Sequence, residues 1–190
     1  MERLTPELIE RLQLRESDWV DWEGKRVYMI YRLPLPKPAR IEQRAIKVGK
    51  KRPKQGIDVA VSNGTIRVGD ERQEGFAVFY SDTLWANLFG EGAPTEFDVT
   101  DSMQDRRLEL WHVWEGTGGS IDAWLGNCGM LVDDRFDSDA RVITLHCSCG
   151  WNDLPTFTDL VAEVRITPIG WFWEDPTAIA PNPFAKRAIP

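Results

Sequence analysis

The sequence predicts a mainly β protein whose antiparallel strands form a sandwich or a barrel. From about residue 25 onward the apolar residues recur with a period of two, which is typical of strands with one buried face. No segment between these runs has the length or period of a helix that could connect parallel strands. Val, Ile and aromatic residues dominate the alternating runs, as pleated and half-buried surfaces prefer.

Length and composition indicate one folded domain. The chain has 190 residues, of which 42% are hydrophobic and 28% charged, and this balance is typical of a globular protein with a real core. No run approaches the ~18 apolar residues that a membrane span needs. The charged N-terminus is unlike a secretory signal. We therefore expect no signal peptide and no transmembrane segment.

The first predicted element is a short helix within residues 1–24, which we assign to the helix and its lead-in. Thr5 can cap the helix, and Pro6 suits its first position. Leu4 and Ile9 have the spacing of a hydrophobic staple, in which two apolar residues pack across the helix start.

Strands are expected throughout residues 25–169, which we assign to a single β-sandwich domain. Asn63-Gly64 lies between the alternating runs 57–61 and 65–68 and predicts a hairpin, because both positions of a two-residue turn need positive φ. The other strands follow at close spacing. They are predicted at residues 25–33, 76–80, 83–88, 95–100, 107–114, 121–125, 128–132, 141–149 and 159–167.

Two segments differ from this body. Residues 34–38 read Pro-Leu-Pro-Lys-Pro, a stiff stretch that does not suit a central strand, and they open an extended basic arm that we expect over residues 34–56. The C-terminal residues 170–190 are rich in Pro, Trp and Phe and are predicted to form an extended tail. Aromatic side chains prefer burial, so we expect the tail to lie on another surface.

Charge is distributed unevenly along the chain, whose net charge is −7. Residues 25–54 contain eleven Lys and Arg and a single Glu, whereas residues 55–185 contain seven Arg, twenty-two acids and no Lys. The arm is then a solvated loop, a basic strip laid on the acidic surface of a neighbouring copy or partner, or a phosphate-binding segment. The arm lacks aromatic residues that stack on bases, which disfavours nucleic acid.

The three cysteines, Cys128, Cys147 and Cys149, are an odd number, which fits a reducing cytoplasm better than a disulfide framework. A zinc site that adds His112 or His146 is the alternative. Its spacing is poor, because strand alternation points Cys147 and Cys149 away from the face of His146. We expect packing cysteines and predict no metal and no cofactor.

No constellation of residues predicts catalysis. The two histidines lie on different predicted strands, and the glycine-rich loop before Ser120 lacks both the closing glycine of a nucleophile elbow and the lysine of a phosphate-binding loop. The acidic run at residues 133–139 has an arginine in its middle. It does not match a calcium loop, and we predict a solvated turn there. The protein is expected not to be an enzyme.

Nine tryptophans are more than a core of this size needs. Trp111 alternates with Leu108 and Leu110 and so points to the opposite face of its predicted strand, toward a surface, a second layer or a ligand. Trp171 and Trp173 share a face if the start of the tail is extended. Surface aromatic residues serve sugar stacking or protein interfaces.

Residues 95–114 contain Glu-Phe-Asp-Val-Thr-Asp at 96–101 and a second strand at Leu-Glu-Leu 108–110. This stretch resembles the paired strands of galactose-binding-like jelly rolls, the group that includes many carbohydrate-binding modules. The resemblance implies a jelly-roll sandwich. Members of the group bind sugars or act as accessory domains and architectural parts of assemblies, so a carbohydrate partner is an expectation of the resemblance.

The leading hypothesis from the sequence is a non-catalytic β-sandwich that docks on neighbouring subunits of a larger assembly, as a virion component does, in the cytoplasm or in a virus particle. One alternative is a carbohydrate-binding module that uses Trp111 or the Trp171/Trp173 pair. Another is an intracellular inhibitor or immunity-type protein that presents its acidic face to a basic partner. The predicted partner-binding residues are the cations of the arm and the aromatic residues of the tail, namely Lys37, Arg40, Arg44, Lys47, Lys50, Lys51, Arg52, Lys54, Trp171, Trp173 and Phe184.

Overall fold

The computed structural model describes residues 3–49, 53–73, 75–80, 95–100, 105–150 and 154–169. Within these ranges the chain is mainly β, as predicted, with fourteen strands in two antiparallel sheets and one short α-helix. Among the described residues no helix is long and apolar enough to cross a membrane. The predicted strand at 83–88 and the predicted tail at 170–190 lie outside the described residues.

The larger sheet has nine strands in the described part of the chain, and all neighbouring strands are antiparallel. We call it the large sheet. In spatial order its strands are β1 (Trp19–Trp22), β2 (Lys25–Tyr28), β12 (Gly129–Asp137), β13 (Ala140–Ser148), β14 (Leu160–Pro168), β4 (Ala39–Val48), β9 (Thr95–Thr100), β6 (Thr65–Val68) and β7 (Glu71–Gln73).

The second sheet, the small sheet, packs face to face on the large sheet. Its strands are β11 (Ile121–Asp122), β10 (Arg107–Glu115), β5 (Gln55–Ser62) and β8 (Gly75–Tyr80), with β3 (Tyr31–Pro34) also paired to β10. One buried cluster joins Ile41 and Val164 of the large sheet to Val59 and Leu110 of the small sheet. The two sheets therefore enclose a common core, which is the arrangement of a β-sandwich.

A second buried cluster forms around the helix α1 (Leu4–Gln13). Leu4 and Leu8 are buried against Val20 and Val27 of the β1–β2 hairpin. The apolar stripe that predicted the helix from the sequence is thus the face that holds it to the sandwich.

The N-terminus of α1 is docked on the loop that precedes β12. The backbone N–H of Leu4 donates to Asn127 Oδ1 at 3.2 Å, and that of Thr5 donates to the Gly126 carbonyl at 3.0 Å. The prediction that Thr5 caps the helix is wrong, because its hydroxyl donates to the Cys128 carbonyl at 3.2 Å instead. The neighbouring loop supplies the acceptors that a capping side chain otherwise provides.

The prediction of an extended basic arm over residues 34–56 is wrong for most of that range. Residues 39–48 form β4, an internal strand with β14 on one edge and β9 on the other, and Gln55 begins β5. Along β4, Ala39 and Ile41 are buried while Arg40 is exposed. The charge lies on the solvent side of an alternating strand, so a high charge density is compatible with a central position.

The prediction of a hairpin at Asn63-Gly64 is also wrong. Strand β5 belongs to the small sheet and β6 to the large sheet, so this turn carries the chain from one sheet to the other. Asn63 has the expected positive φ of 57° but Gly64 does not. Both edges of β5 are occupied, by β10 and β8, and β6 pairs with β9 instead.

Three further elements differ from their predicted bounds. Residues 25–33 form two strands, β2 and β3, in different sheets, and at 121–125 only Ile121–Asp122 is a strand because Trp124 has a positive φ of 60°. The acidic run at 133–139 was predicted to be a turn, but residues 133–137 belong to β12, which pairs with β13 along its whole length. The predicted strands at 76–80, 95–100, 107–114, 141–149 and 159–167 are confirmed within one or two residues.

Candidate functional site

Arg40 and Arg44 of the predicted arm lie on the outer face of the large sheet and are paired within it. Arg40 forms ion pairs of 2.9 Å with both Glu96 and Asp98 of β9. Arg44 pairs with Glu163 of β14 at 2.6 Å. These two predicted docking cations of β4 are therefore neutralised by cross-strand neighbours.

The remaining predicted partner-binding residues are scattered or undescribed. Lys37 lies in the connection between β3 and β4, Lys47 is exposed near the end of β4, and Lys54 pairs with Glu115 at 3.5 Å. No common surface gathers these three. Six predicted residues lie outside the described residues, namely Lys50, Lys51, Arg52, Trp171, Trp173 and Phe184.

Trp111 is half-buried and belongs to a second layer. It packs against both buried clusters, and the centroid of its ring lies 6.0 Å from that of Trp124. The sequence left three environments open for Trp111, namely a surface, a second layer and a ligand. The structure shows the second layer.

His112 lies at the same end of the sandwich as Cys128 and Cys149. A cysteine and a histidine together can form a nucleophilic catalytic site. Nε2 of His112 lies 2.9 Å from Gln55 Oε1, and burial lowers the pKa of His112 to about 4. The hydrogen bond to Cys149 and burial both raise the pKa of the Cys128 thiol. A neutral imidazole without basic strength beside protonated thiols does not support nucleophilic catalysis.

The three cysteines are buried and form no disulfide, in the packing environment that the sequence predicted. Among the described residues no group of three His, Cys, Asp or Glu is arranged to hold a metal ion.

The most distinctive open feature is the junction between β2 and β12. The two strands share a single residue pair, Met130 with Tyr28, after which β12 continues for seven residues to Asp137. In the described part of the chain, β12 beyond Met130 pairs only with β13. Residues 131–137 therefore form an edge strand with respect to the described part of the chain, and the strand is exposed from Asp133 onward apart from the side chain of Asp134, which is only 21% exposed.

The direction of the backbone groups along this edge follows from the hydrogen-bond alternation. Asn127 N–H donates to the Gly150 carbonyl at 2.7 Å, in the same register as the β12–β13 ladder. Opposite residues of an antiparallel ladder alternate between bonded and non-bonded pairs, so the odd-numbered residues of β12 bond to β13. The N–H and C=O groups of Val132, Asp134 and Phe136 consequently point to the open edge.

A groove of about 650 Å³ lies beside this edge. Three consecutive residues of β12 line it, and because consecutive strand residues face opposite sides, the groove runs along the edge of the strand. Strand β2 forms the opposite wall. The lining residues are Lys25, Arg26, Tyr28, Leu131, Val132, Asp133, His146, Thr156 and Phe157.

Electrostatics divide the groove into two walls of opposite sign. On the β12 side, Asp133 Oδ2 lies 3.1 Å from Nε2 of His146 and its side chain is 74% exposed. On the β2 side, Lys25 and Arg26 are exposed, and the Arg26 guanidinium lies 4.5 Å from the ring centroid of Trp19.

The side chain of Asp134 anchors the middle of the edge strand. Its carboxylate accepts hydrogen bonds from Arg141 and from the hydroxyl of Tyr31. Burial acts to raise the pKa of Asp134, but these bonds hold it below its usual range. Asp134 is therefore an ionised structural anchor, whereas Asp133 and Asp137 face solvent.

Sequence reasoning missed this edge because it assigned the acidic run to a turn. One signal was present: residues 133–137 continue the period-two spacing of the predicted strand at 128–132. The position of that strand at an edge depends on where β2 diverges, which no local pattern encodes.

No family model, curated protein or solved structure matches this chain. The resemblance of residues 95–114 to galactose-binding-like jelly rolls therefore stays a prediction.

Proposed function

We propose that this protein is a non-catalytic interaction protein that binds an extended, basic segment of a partner protein as an added strand on the free edge of β12. The carrying observation is the single residue pair between β2 and β12. It leaves the backbone groups of Val132, Asp134 and Phe136 directed away from β13, and Val132 lines the groove. An exposed edge of this kind is a template for strand addition, in which main-chain hydrogen bonds supply affinity.

The charge of the edge supports a basic partner. Asp137 and Asp139 at the tip of the β12–β13 hairpin have side chains that are 56% and 61% exposed, and both are ion-paired with Arg165 of β14. In the groove itself, Asp133 lies on the β12 wall, and the cations Lys25 and Arg26 lie on the β2 wall. A bound strand is therefore expected to direct its basic side chains toward Asp133.

This proposal keeps the predicted class of interaction protein and changes the surface. Docking through β4 is not supported, because Arg40 and Arg44 are paired inside the sheet. Docking of this chain on a larger assembly then takes place through β12, with the basic segment supplied by the neighbouring subunit.

The test compares two substitutions of one exposed residue, Phe136, whose side chain is 64% exposed. Phe136→Pro removes the N–H that points to the open edge and leaves the bonds to β13 intact, since proline is tolerated on the solvent side of an edge strand. Phe136→Ala is the matched control, because it removes the same ring but keeps the donor. The probe is a synthetic peptide that alternates Lys with Val, followed by fluorescence anisotropy on the full chain.

We expect Phe136→Ala to bind the peptide within about threefold of the unmodified protein and Phe136→Pro to lose at least about tenfold in affinity. Binding should weaken at high ionic strength and in the Asp133→Asn, Asp137→Asn double variant. A peptide with Glu in place of Lys should bind more weakly. Equal binding by the proline and alanine variants would exclude strand addition, and tighter binding of the Glu peptide would exclude a basic partner.

A carbohydrate remains the second candidate, favoured by one observation. The half-buried rings of Tyr28 and Phe157 and the His146–Asp133 pair converge on the groove, a combination of aromatic and polar groups that suits a sugar. A glycan array probed with the full chain tests this. Sugar binding that is lost in His146→Ala and retained in Trp111→Phe would support the groove, and no binding to any glycan would exclude this candidate.

A further inference from the structure

Cys128 and Cys149 face each other across the start of the β12–β13 ladder. Gly129 is paired with Ser148, and the Asn127 N–H donates to the Gly150 carbonyl at 2.7 Å. Both contacts belong to the same register, which places Cys128 opposite Cys149 between them. The two side chains pack in one buried cluster with Trp114.

The geometry of this position suits a disulfide. Because Asn127 and Gly150 form a hydrogen-bonded pair, Cys128 and Cys149 form the non-bonded pair that follows, in which Cα atoms lie about 4.5 Å apart and side chains are closest. Disulfides span Cα separations from about 4.4 to 6.8 Å. The two cysteines also pack in the same buried cluster.

We propose that Cys128 and Cys149 form a reversible cross-strand disulfide when the protein meets a hydroperoxide. One sulfur, as thiolate, attacks a peroxide oxygen, the O–O bond breaks, and one water leaves as a sulfenic acid forms. The second sulfur attacks the sulfenic sulfur, its proton is lost, and the oxygen leaves as a second water. In sum two thiols and one hydrogen peroxide give one disulfide and two waters.

The site is distinct from the proposed edge and lies at the opposite end of the same two strands. The Cys128 carbonyl accepts the hydroxyl of Thr5, and the adjacent Asn127 and Gly126 accept the first N–H groups of α1. A crosslink at Cys128 therefore fixes the loop that holds the helix. Oxidation is expected to tighten the docking of α1 on the sandwich.

Burial of the two cysteines is expected to slow their oxidation without preventing the disulfide. The exposed fractions of Cys128 and Cys149 are only 5% and 7%, so the oxidant must be small. The mutual hydrogen bond and burial raise the pKa of the Cys128 thiol, which keeps the reactive thiolate scarce at neutral pH. The oxidation is expected to be slow and to accelerate as the pH rises.

The third cysteine supplies the matched control. Cys147 is completely buried in the cluster between the two sheets, and the ladder register places it opposite Met130 rather than Cys128. Cys147→Ala removes one buried thiol and leaves that pair intact. Cys149→Ala removes one member of the pair.

The experiment treats the folded full chain with hydrogen peroxide and follows intact mass and non-reducing peptide maps. We expect the unmodified protein and Cys147→Ala to lose two hydrogens, to yield one peptide crosslinked between Cys128 and Cys149, and to recover with dithiothreitol. The melting temperature should rise by roughly 5 °C on oxidation. Cys149→Ala should show neither the crosslink nor the rise.

Three results would overturn the proposal. They are a crosslink that includes Cys147, oxidation only in the presence of urea, and added oxygen on the cysteines with no loss of two hydrogens. Because strand addition at Phe136 needs no cysteine, failure of this site leaves the proposed function untouched.

Discussion

Strands β4 and β12 contain four charged residues each, more than any other described strand of the large sheet, and they differ in their edges. Strand β4 is paired along both edges, by β14 and β9, and its arginines are matched by carboxylates on those neighbours. Within the described residues, strand β12 is paired along one edge beyond Met130, although its carboxylates also have basic neighbours such as His146 and Arg165. The difference between the two strands therefore lies in the hydrogen-bonding edge and not in the number of charges, and the edge is the feature on which the proposed docking depends.

The largest expected effect is on the free energy of unfolding, and it arises because a residue of β4 is buried whereas a residue of β12 is exposed. Ile41 of β4 is completely buried in the core, whereas Phe136 of β12 is 64% exposed. We expect Ile41→Ala to lower the free energy of unfolding by about 3 kcal/mol, because it removes buried methyl groups and leaves a cavity. Phe136→Ala should change it by less than about 0.5 kcal/mol. Urea unfolding measures both, and similar losses would contradict the assignment of β4 as internal.

A smaller effect is expected from Gln43, on the buried face of β4. Gln43 is completely buried, and within the described residues its side-chain amide has no hydrogen-bond partner. Replacing it with methionine, which has a similar shape, should raise the free energy of unfolding by about 1 kcal/mol, because an unsatisfied buried amide is costly. Gln13→Met at the exposed end of α1 serves as the control and should have little effect. A destabilised Gln43→Met variant would show that the amide is satisfied.

The smallest effect concerns the exposed charges of β4. Arg40 is 48% exposed and pairs with Glu96 and Asp98, so Arg40→Gln should cost only about 0.5 kcal/mol of stability. It should leave binding of the basic peptide unchanged, since β4 is not the docking strand. Thermal denaturation and the anisotropy titration test the two statements, and a tenfold change in peptide affinity would move the site from β12 to β4.

Local patterns predicted those strands that can be recognised from side-chain alternation alone, without knowing which strands lie beside them. Side chains at 96–100 and 107–112 alternate between buried and more exposed positions, and this alternation is visible in the sequence itself. The Asn63-Gly64 turn shows the limit, since a pattern that favours a hairpin instead joins two sheets because both edges of β5 are taken. The role of Thr5 was likewise decided by a distant loop, whose Gly126 and Asn127 accept the helix N–H groups.

The candidate site was the least predictable part. The sequence drew attention to the basic run because its charge contrast is large, and the acidic run at 133–139 was taken for a turn. Trp111 was correctly placed on the face opposite Leu108. That this face is covered by a second layer containing Trp124 depends on how the chain returns after β11.

The sequence by itself determined the class of the fold and the buried face of the strands that it predicted, because side-chain alternation and the hydrophobic effect act locally along a strand. Only the tertiary structure decided which strands are neighbours, which edge stays open and which cysteines meet. Those outcomes depend on pairing between residues far apart in the chain, where hydrogen-bonding groups on every strand are alike and only the packed arrangement chooses among them.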